Sequence, residues 1–349
     1  MSPLESPTID AARIFNPMNN SQSIVQIVPY PLSHRGGVND YARVLAASLA
    51  SVNGLTTDFV TGLTLSESTW RPSRADAAIL HYVNYGYHPR GIPFWLPKRV
   101  SEMRQSLEGP LITIFHELYA SSGWHRSAFW LQPLQKRLAR LVAQSSVICV
   151  VSSNLLANQL RKLLPSAPVV VRPVFSTFGE PRLSREQIAS RDPERWVTCG
   201  GTELIRRSLR SFPGGKDLVV IGGEEQEDIR RQLKDGRYWP DIEAAPASER
   251  LATCAFGWMD YFAQTHVKTE AILKSTAFAA YCAHGVIPVF FSVNSKISLD
   301  GDVMPGPFTL ATLPTASERP AIAEAIYNWY QRNASSAGLA AAIAKVIQL

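Results

Sequence analysis

Short β-rich runs alternate with helical patterns along most of this chain, and no other feature limits the fold as strongly. The first run, residues 23–30, ends in a turn with two glycines and is followed by apolar residues at helical spacing. Further strand candidates lie at 57–60, 77–83, 111–115, 147–151 and 169–171, separated by helical stretches such as 94–107 and 128–144. This alternation predicts a mainly parallel sheet covered by helices on both faces, with right-handed connections.

A second series of the same kind begins near residue 196. Its strand candidates are 196–199, 217–221, a weak one at 255–258, and 287–293, with helices near 224–233 and 269–283. A helix at 319–333 follows, and an alanine-rich segment at 339–347 could pack back across the first lobe. Two α/β lobes are therefore expected.

The length agrees with two domains, because one hydrophobic core rarely keeps growing to 349 residues. The apolar fraction of 46% and the charged fraction of 18% are typical of a well-packed globular protein. The predicted division is a loose tail at 1–22, a first domain at 23–175, a linker at 176–195, a second domain at 196–332 and a C-terminal helix within 333–349.

The net charge of +6 and the isoelectric point near 9.2 indicate acidic partners, which could be nucleotide phosphates, anionic lipids or nucleic acid. Nucleic acid is disfavoured because the basic residues are spread out and no recognised binding motif occurs. A basic, partly apolar helical pattern at 135–141 would suit peripheral contact with a membrane, although an ordinary solvated helix is the simpler explanation.

The cysteines and the chain's start indicate a cytoplasmic protein. The four cysteines are far apart without a C-x-x-C pair, so we expect buried thiols in a reducing compartment. Residues 1–22 lack the basic and apolar regions of a signal peptide. Two uncharged stretches, 141–160 and 275–295, each divide into a helix and a strand, so no membrane span is predicted. The expected location is the cytoplasm, with peripheral contact at the inner face of the cell membrane as an addition.

Gly36 and Gly37 lie between the first strand and the first helix. Glycines let a backbone approach a ligand closely, and the helix that follows offers unpaired N–H groups to phosphate or sugar oxygens. Asn39 or Asp40 can cap that helix, and Asn39 is also a candidate contact for an acceptor. Most Gly-Gly pairs are only turns, but ligands of open α/β sheets bind where strands end.

Polar residues also follow two later strands. His81 and Tyr82 end one strand, and Asn84 follows, so Tyr82 and Asn84 are candidates for holding an acceptor sugar; a tyrosine-rich surface loop explains them equally well. His116 and Glu117 come directly after residues 111–115, which is a catalytic position at a strand's carboxyl end. A structural histidine is the alternative, and metal binding is disfavoured because no H-E-x-x-H spacing occurs.

The second lobe repeats the strand, loop and helix design at residues 199–207. Gly201 and Thr202 form the loop there, and Arg206 and Arg207 could offer the forked contacts that a diphosphate prefers, unless they are solvated surface charges. Lys274 and Ser275 precede an alanine-rich helix, where the helix dipole and their donors would suit a diphosphate. The alternative is a helix packed through alanines with Lys274 in water.

Five stretches together resemble the bacterial group 1, family 4-like retaining glycosyltransferases of the GT-B fold. They are residues 36–45, 115–119, 151–154, 172–174 and 283–289. The resemblance implies two Rossmann-like, doubly wound domains that face each other across a cleft. It implies an acceptor site in the first domain and a nucleotide-sugar site in the second.

The resemblance also implies roles for single residues. Gly36 and Gly37 would approach the donor phosphates, and His116 would lie near the transferred sugar. Arg206 and Lys274 would occupy the places of a basic diphosphate clamp. Neither a metal ion nor a cofactor is then required, because basic groups and a helix N-terminus neutralise the leaving diphosphate.

The chain departs from this family at one pair of positions. The family usually carries two glutamates, with seven residues between them, before the glycine that corresponds to Gly285; here those positions hold Ile272 and Ala280. Glu270 and Lys274 lie close to the first position and could substitute for that glutamate.

Three functions remain open. The first is transfer of a hexose, with retention, from a nucleotide-sugar to a polysaccharide or glycolipid acceptor. The second is a non-catalytic GT-B-like binding or scaffold protein in glycan assembly, which the missing glutamates favour. The third is a sugar-nucleotide epimerase, which would need extra carboxylates in the cleft.

Overall fold

The computed structural model describes residues 22–34, 36–67, 75–120, 127–233, 236–263 and 267–348. The tail predicted at 1–22 lies, apart from residue 22, outside the described residues. Within these ranges no helix is both long enough and apolar enough to cross a bilayer.

The first lobe is built on one parallel sheet of six strands. The strands are β1 Ser23–Val28, β2 Thr56–Thr61, β3 Ala77–Tyr82, β4 Leu111–Phe115, β5 Ile148–Val151 and β6 Val169–Val171. The helices are α1 Gly37–Asn53, α2 Gly62–Ser66, α3 Asn84–Tyr87, α4 Trp95–Ser106, α5 Ser127–Ser145 and α6 Asn154–Leu163. The spatial strand order β2-β1-β3-β4-β5-β6 reverses direction between β1 and β3.

A second parallel sheet of five strands forms the other lobe, in the order β11-β10-β7-β8-β9. The strands are β7 Arg195–Cys199, β8 Asp217–Ile221, β9 Tyr238–Trp239, β10 Phe256–Met259 and β11 Ile287–Phe290, with a small hairpin of β12 Ser298–Leu299 and β13 Asp302–Val303. The helices are α7 Arg185–Ala189, α8 Thr202–Ser211, α9 Glu227–Arg230, α10 Ala244–Ala252, α11 Thr276–Ala283, α12 Arg319–Asn333 and α13 Ser336–Ile347, with 3-10 helices at Thr269–Lys274 and Leu310–Thr312. This order reverses between β7 and β10.

Each sheet is covered on both faces, as the alternation along the sequence predicts. On the first sheet, α1 and α13 cover one face and α4, α5 and α6 cover the other. The face under α1 and α13 belongs to the same hydrophobic cluster as the core of the second lobe. The predicted fold class is therefore confirmed: two Rossmann-like, doubly wound lobes face each other across a cleft, which is the GT-B arrangement.

The predicted elements differ from the observed ones mainly in the second lobe. The helix expected at 224–233 is only Glu227–Arg230. The helix expected at 269–283 is divided at Ser275, whose backbone is extended and whose hydroxyl caps α11 by accepting a hydrogen bond from the Phe278 N–H at 3.3 Å. This division matters because it creates a free helix N-terminus at residue 276.

Helix α11 lies close against the second sheet because small residues face it. A Cβ on Gly257 of β10 would come within 2.6 Å of the Tyr281 ring, so only glycine fits there. The Tyr281 hydroxyl accepts a hydrogen bond from the Cys199 N–H at 3.0 Å and donates to the Trp258 carbonyl at 3.1 Å. All four cysteines are buried and free, which confirms the expectation of buried thiols.

The two lobes are tied together by the returning C-terminal helix and by Glu180. Helix α13 packs against α1 of the first lobe, where the Ser336 and Ser48 hydroxyls are 2.7 Å apart. The Glu180 carboxylate accepts hydrogen bonds from the Ser336 N–H at 2.9 Å and from the hydroxyls of Ser336 and Tyr330. Tyr330 in turn accepts from the Ser176 N–H at 2.8 Å. One carboxylate therefore joins the segment after β6 to α12 and α13.

Replacing Glu180 should destabilise the fold. We expect Glu180→Ala to lower the free energy of unfolding by about 2 kcal/mol, because the partly buried donors of Tyr330 and Ser336 lose a charged acceptor. Urea denaturation measures this change. The matched control is Glu203→Ala, whose exposed pair with Arg206 should contribute less than about 0.5 kcal/mol. Equal effects of the two variants would contradict the role of Glu180.

Candidate functional site

Two adjoining cavities open between the lobes. The smaller encloses about 400 Å³ and the larger about 950 Å³. Both are lined by His116 and Glu117 from the first lobe and by Tyr261 and Lys274 from the second. They are therefore parts of one space, which we call the interlobe cleft.

The sheet topology explains why polar groups meet in this cleft. All strands of a parallel sheet end at the same edge, and ligands bind where the strand order reverses. In the first lobe that edge presents Gly37 after β1 and Glu117 after β4; in the second it presents Gly201 after β7 and Tyr261 after β10. Both edges face the smaller cavity.

His116 is half-buried, and its ring nitrogen Nε2 lies 3.1 Å from Nδ1 of the buried His81. The Tyr41 ring meets His116 edge-on at 5.0 Å, and Tyr41 stacks on Phe175 at 4.0 Å. Desolvation by these neighbours lowers the pKa of His116 to about 4. At neutral pH the imidazole is therefore uncharged and suits hydrogen bonding to a hydroxyl better than an ion pair with phosphate.

Glu117 and Lys274 reach into the cleft from opposite lobes. Desolvation raises the pKa of Glu117, while the positive charge of Lys274 acts in the opposite direction. The carboxylate and the ammonium group therefore influence each other across the cleft. Lys274 itself is exposed to this space.

Two helix N-termini of the second lobe also face the smaller cavity. Gly200 has a φ of +124°, which disfavours any side chain, and it turns the chain into α8, whose N-cap is Gly201. Ser275, the N-cap of α11, and Thr276 line the same cavity. Unpaired N–H groups and the positive ends of two helix dipoles are thus available to an anion.

Two arginines line the cleft with unused donors. Arg172 lines the smaller cavity and Arg207 the larger, and the Nε atom of each is buried without a hydrogen-bond partner among the described residues. From the sequence, Arg207 was a candidate diphosphate contact only together with Arg206, and no role was predicted for Arg172. Helical spacing could have distinguished Arg207 from Arg206. Leu204 faces the cleft, and Arg207, three positions later, lies on the same face of α8.

Arg206, predicted as a phosphate ligand, points elsewhere. Its guanidinium binds Glu203 at 2.9 Å, Asp228 at 3.0 Å and the Gln226 amide oxygen at 2.5 Å, and it lines neither cavity. The side chain of Thr202 is also engaged elsewhere, since its hydroxyl accepts the Glu224 N–H at 3.1 Å. Arg206 therefore lies outside the cleft, whereas its neighbour Arg207 lines it.

The three predicted acceptor contacts also lie away from the cleft. Asn39 is buried and donates to the carbonyls of Pro31 at 2.8 Å and His34 at 2.9 Å, so it braces the loop before α1. Tyr82 is fully buried because it ends β3, an inner strand covered on both faces, and Asn84 at the start of α3 is fully buried as well. Their side chains are not available for stacking on a sugar.

The remaining predicted residues divide between the cleft and its support. Gly37, His116, Glu117, Gly201, Lys274 and Ser275 all line the smaller cavity. Gly36 is the N-cap of α1 and does not line either cavity. The predicted donor and catalytic residues thus come together, apart from Gly36, Thr202 and Arg206.

The two positions that lack glutamates lie in the core. Ile272 and Ala280 are fully buried, and Glu270 lines a separate surface cavity beside Lys296. Glu270 therefore does not substitute for a carboxylate in the cleft. Across the described part of the chain, no three His, Cys, Asp or Glu side chains are grouped in a way that could hold a metal ion.

Comparisons with known proteins reach the fold only. No protein-family model and no curated protein matches the chain. Among solved structures, the N-terminal domain of Candida albicans trehalose-6-phosphate phosphatase has a TM-score of 0.53 at 9% identity, covering 94% of this chain and 97% of that domain.

Two further structures are more distant. T4 phage β-glucosyltransferase has a TM-score of 0.44 at 10% identity, covering 94% of this chain and all of its own. The S. aureus MnaA structure with UDP has a TM-score of 0.44 at 9% identity, covering 92% of this chain and 94% of its own. At these identities only the fold is comparable, and of the three only the Candida domain exceeds a TM-score of 0.5.

Proposed function

We propose that this protein is a glycosyltransferase that moves a hexose from a nucleoside-diphosphate sugar to a polysaccharide or glycolipid acceptor, with retention of configuration. The observation that carries the proposal is the charge of the interlobe cleft. Among the residues that the structure describes, the charged ones that line it are one carboxylate, Glu117, and five cations. The cations are Lys162, Arg172, Arg207, Lys268 and Lys274.

The cations and helix N-termini suit a diphosphate better than a neutral ligand. Lys274 immediately precedes the free N-terminus of α11, and α8 begins at the neighbouring loop, so both dipoles and the ammonium group act on the same space. Arg207 and Arg172 supply forked donors at either side. These groups would stabilise the negative charge that develops on the leaving diphosphate without a metal ion or a cofactor.

The proposed transfer with retention would take place on one face of the sugar. The bond from the sugar's anomeric carbon to the diphosphate breaks, and an acceptor hydroxyl forms the new bond on the same face while its proton passes to the leaving phosphate. His116 and Glu117 line the same cavity as the groups that would bind the diphosphate, and they would hold hydroxyls of the transferred sugar. Alignment and electrostatics supply the rate enhancement, because neutral His116, with a pKa of about 4, is a weak base.

A scaffold protein in glycan assembly is the second candidate. The observation that favours it is the apolar, buried state of Ile272 and Ala280, which leaves ribose and sugar hydroxyls without those carboxylates. An epimerase is less well supported, since Glu117 is the one carboxylate among the described residues that line the cleft. Binding and turnover separate the first two candidates.

Binding of a nucleoside diphosphate should depend on Arg207 and not on Arg206. We expect calorimetric titration with UDP, GDP and dTDP to show saturable binding of one of them. Arg207→Gln and Lys274→Gln should each weaken it at least about tenfold, the loss of one charge-assisted contact. Arg206→Gln is the matched control and should leave it unchanged within about twofold, because its guanidinium is bound to Glu203 and Asp228. Absence of binding at millimolar nucleotide would contradict the proposal.

Turnover should be independent of metal. With the nucleotide-sugar that binds, we expect slow hydrolysis or transfer that EDTA leaves unchanged, and a product whose anomeric configuration, read from NMR couplings, equals that of the donor. Lys274→Gln should reduce the rate by at least about tenfold. Tight binding without any turnover would favour the scaffold function instead.

The outer face of α5 supports contact with a lipid-bearing acceptor. Trp130 is 69% exposed, and Leu134 and Leu141 continue its face at helical spacing with Arg137 among them. The predicted segment 135–141 thus contributes only part of this face, since Gln135 is buried and binds the Ala120 N–H at 2.8 Å. Exposed aromatic and aliphatic groups beside cations suit an anionic membrane surface.

Removing Trp130 should weaken membrane binding. We expect sedimentation with vesicles of anionic phospholipid to fall at least about fivefold for Trp130→Ser, because the side chain loses its burial among acyl chains. Leu310→Ser, which removes an exposed apolar group from the second lobe, should have no such effect. Equal vesicle binding by the wild type and by Trp130→Ser would exclude this face as the contact.

A further inference from the structure

A chain of buried polar side chains runs across three neighbouring strands behind His116. Gln26 of β1 and His81 of β3 are fully buried in the first sheet, and His116 follows β4. The Gln26 amide oxygen lies 2.7 Å from His81 Nε2, and His81 Nδ1 lies 3.1 Å from His116 Nε2. The two imidazole rings are nearly parallel, with centroids 5.4 Å apart.

The direction of these hydrogen bonds determines where the protons are. With the Gln26 amide oxygen facing His81, His81 carries its proton on Nε2, because an amide oxygen only accepts. A neutral imidazole has a single N–H, so His81 Nδ1 is an acceptor and His116 must donate from its own Nε2. His116 then has no proton on Nδ1. That nitrogen has no hydrogen-bond partner among the described residues, and the ring lines both cavities of the cleft.

Both histidines are neutral at physiological pH. Burial lowers the pKa of His81 well below its usual value, and the neighbouring His116 lowers it further; burial lowers the pKa of His116 to about 4. Among the described residues, Tyr41 contacts the His116 ring, and Glu117 and Lys274 line the same cavity. Tyr41 is uncharged, because burial raises its pKa. Glu117 lines the same cavity as Lys274, whose positive charge is opposite to that of a carboxylate.

We propose that Gln26 and His81 are positioning residues that hold His116 in the Nε2–H form, so that Nδ1 presents a lone pair to the interlobe cleft. The consequence for the ligand rests on the proposed function: a lone pair accepts a hydrogen bond from a hydroxyl of the transferred sugar and offers nothing to a phosphate oxygen. His116 would thereby distinguish the sugar part of the donor from its diphosphate. A Gln26 amide turned by 180° would reverse every bond in the chain and make Nδ1 a donor.

Nitrogen-15 NMR of the histidine-labelled protein tests the tautomer without any ligand. At pH 7 we expect the His116 signals, assigned by their loss in His116→Gln, to show a pyridine-like Nδ1 and a pyrrole-like Nε2. Gln26→Leu removes the acceptor that orients His81, so both nitrogens of His116 should move toward the values of a tautomer mixture. Thr113→Val, which removes another buried hydrogen bond from the same sheet, should leave them unchanged.

A proton on Nδ1 of His116 in the wild type would overturn the proposal, and so would an unchanged tautomer in Gln26→Leu. The wild-type spectrum decides the first point even if the variant does not fold. Gln26→Leu should weaken binding of the nucleotide-sugar about five- to tenfold and binding of the nucleoside diphosphate by less than about twofold. The difference corresponds to the loss of one hydrogen bond. The expected tautomer without nucleotide binding would refute the proposed function and leave the positioning role intact.

Discussion

A parallel sheet brings the carboxyl ends of all its strands to one edge, and this constraint determines where this protein can act. Two such sheets stand opposite each other here, and each reverses its strand order next to the cleft. The loops after β1, β4, β7 and β10 therefore converge although they are far apart in sequence. The shared hydrophobic cluster and the Glu180 hydrogen bonds hold the two edges in register.

The resulting cleft combines two kinds of chemistry. Helix N-termini, Lys274 and Arg207 of the second lobe and Arg172 of the first create a positive surface for an anion. His116 of the first lobe is held neutral by burial and by its bond to His81, so it adds a directional hydrogen bond instead of charge. A nucleotide-sugar carries both groups that these surfaces would recognise, a diphosphate and a ring of hydroxyls.

Much of the fold was predictable because strand and helix periods are local properties. Strands β4, β6 and β8 begin and end where the hydrophobic runs predict, as does α12. The division of the helix at Ser275 was predicted only in part: Lys274 and Ser275 were expected to precede an alanine-rich helix, but the apolar periodicity alone joined residues 269–283 into one helix, since a serine cap inside an apolar run leaves little trace in it. It is nevertheless the feature that places a helix N-terminus at the cleft.

The site was predictable where it depends on strand ends and not where it depends on side-chain direction. Gly37, His116 and Lys274 follow from their places at element ends. The predicted acceptor contact of Tyr82 was wrong because β3 is covered on both faces, so that every side chain of this strand is buried. Arg206 and Arg207 are adjacent, yet about 100° of helical rotation separates an ion-paired surface residue from one in the cleft. Gln26, in the middle of β1, gave no signal beyond being a polar residue in an apolar strand.

The central claim is that a nucleoside diphosphate binds at the N-termini of α8 and α11, and amide hydrogen exchange with and without the nucleotide tests it most directly. We predict slower exchange at residues 201–204 and 275–278, together with unchanged exchange in the distant hairpin of β12 and β13. Saturating nucleotide that leaves both helix starts unprotected, or that protects only residues outside the cleft, would contradict it.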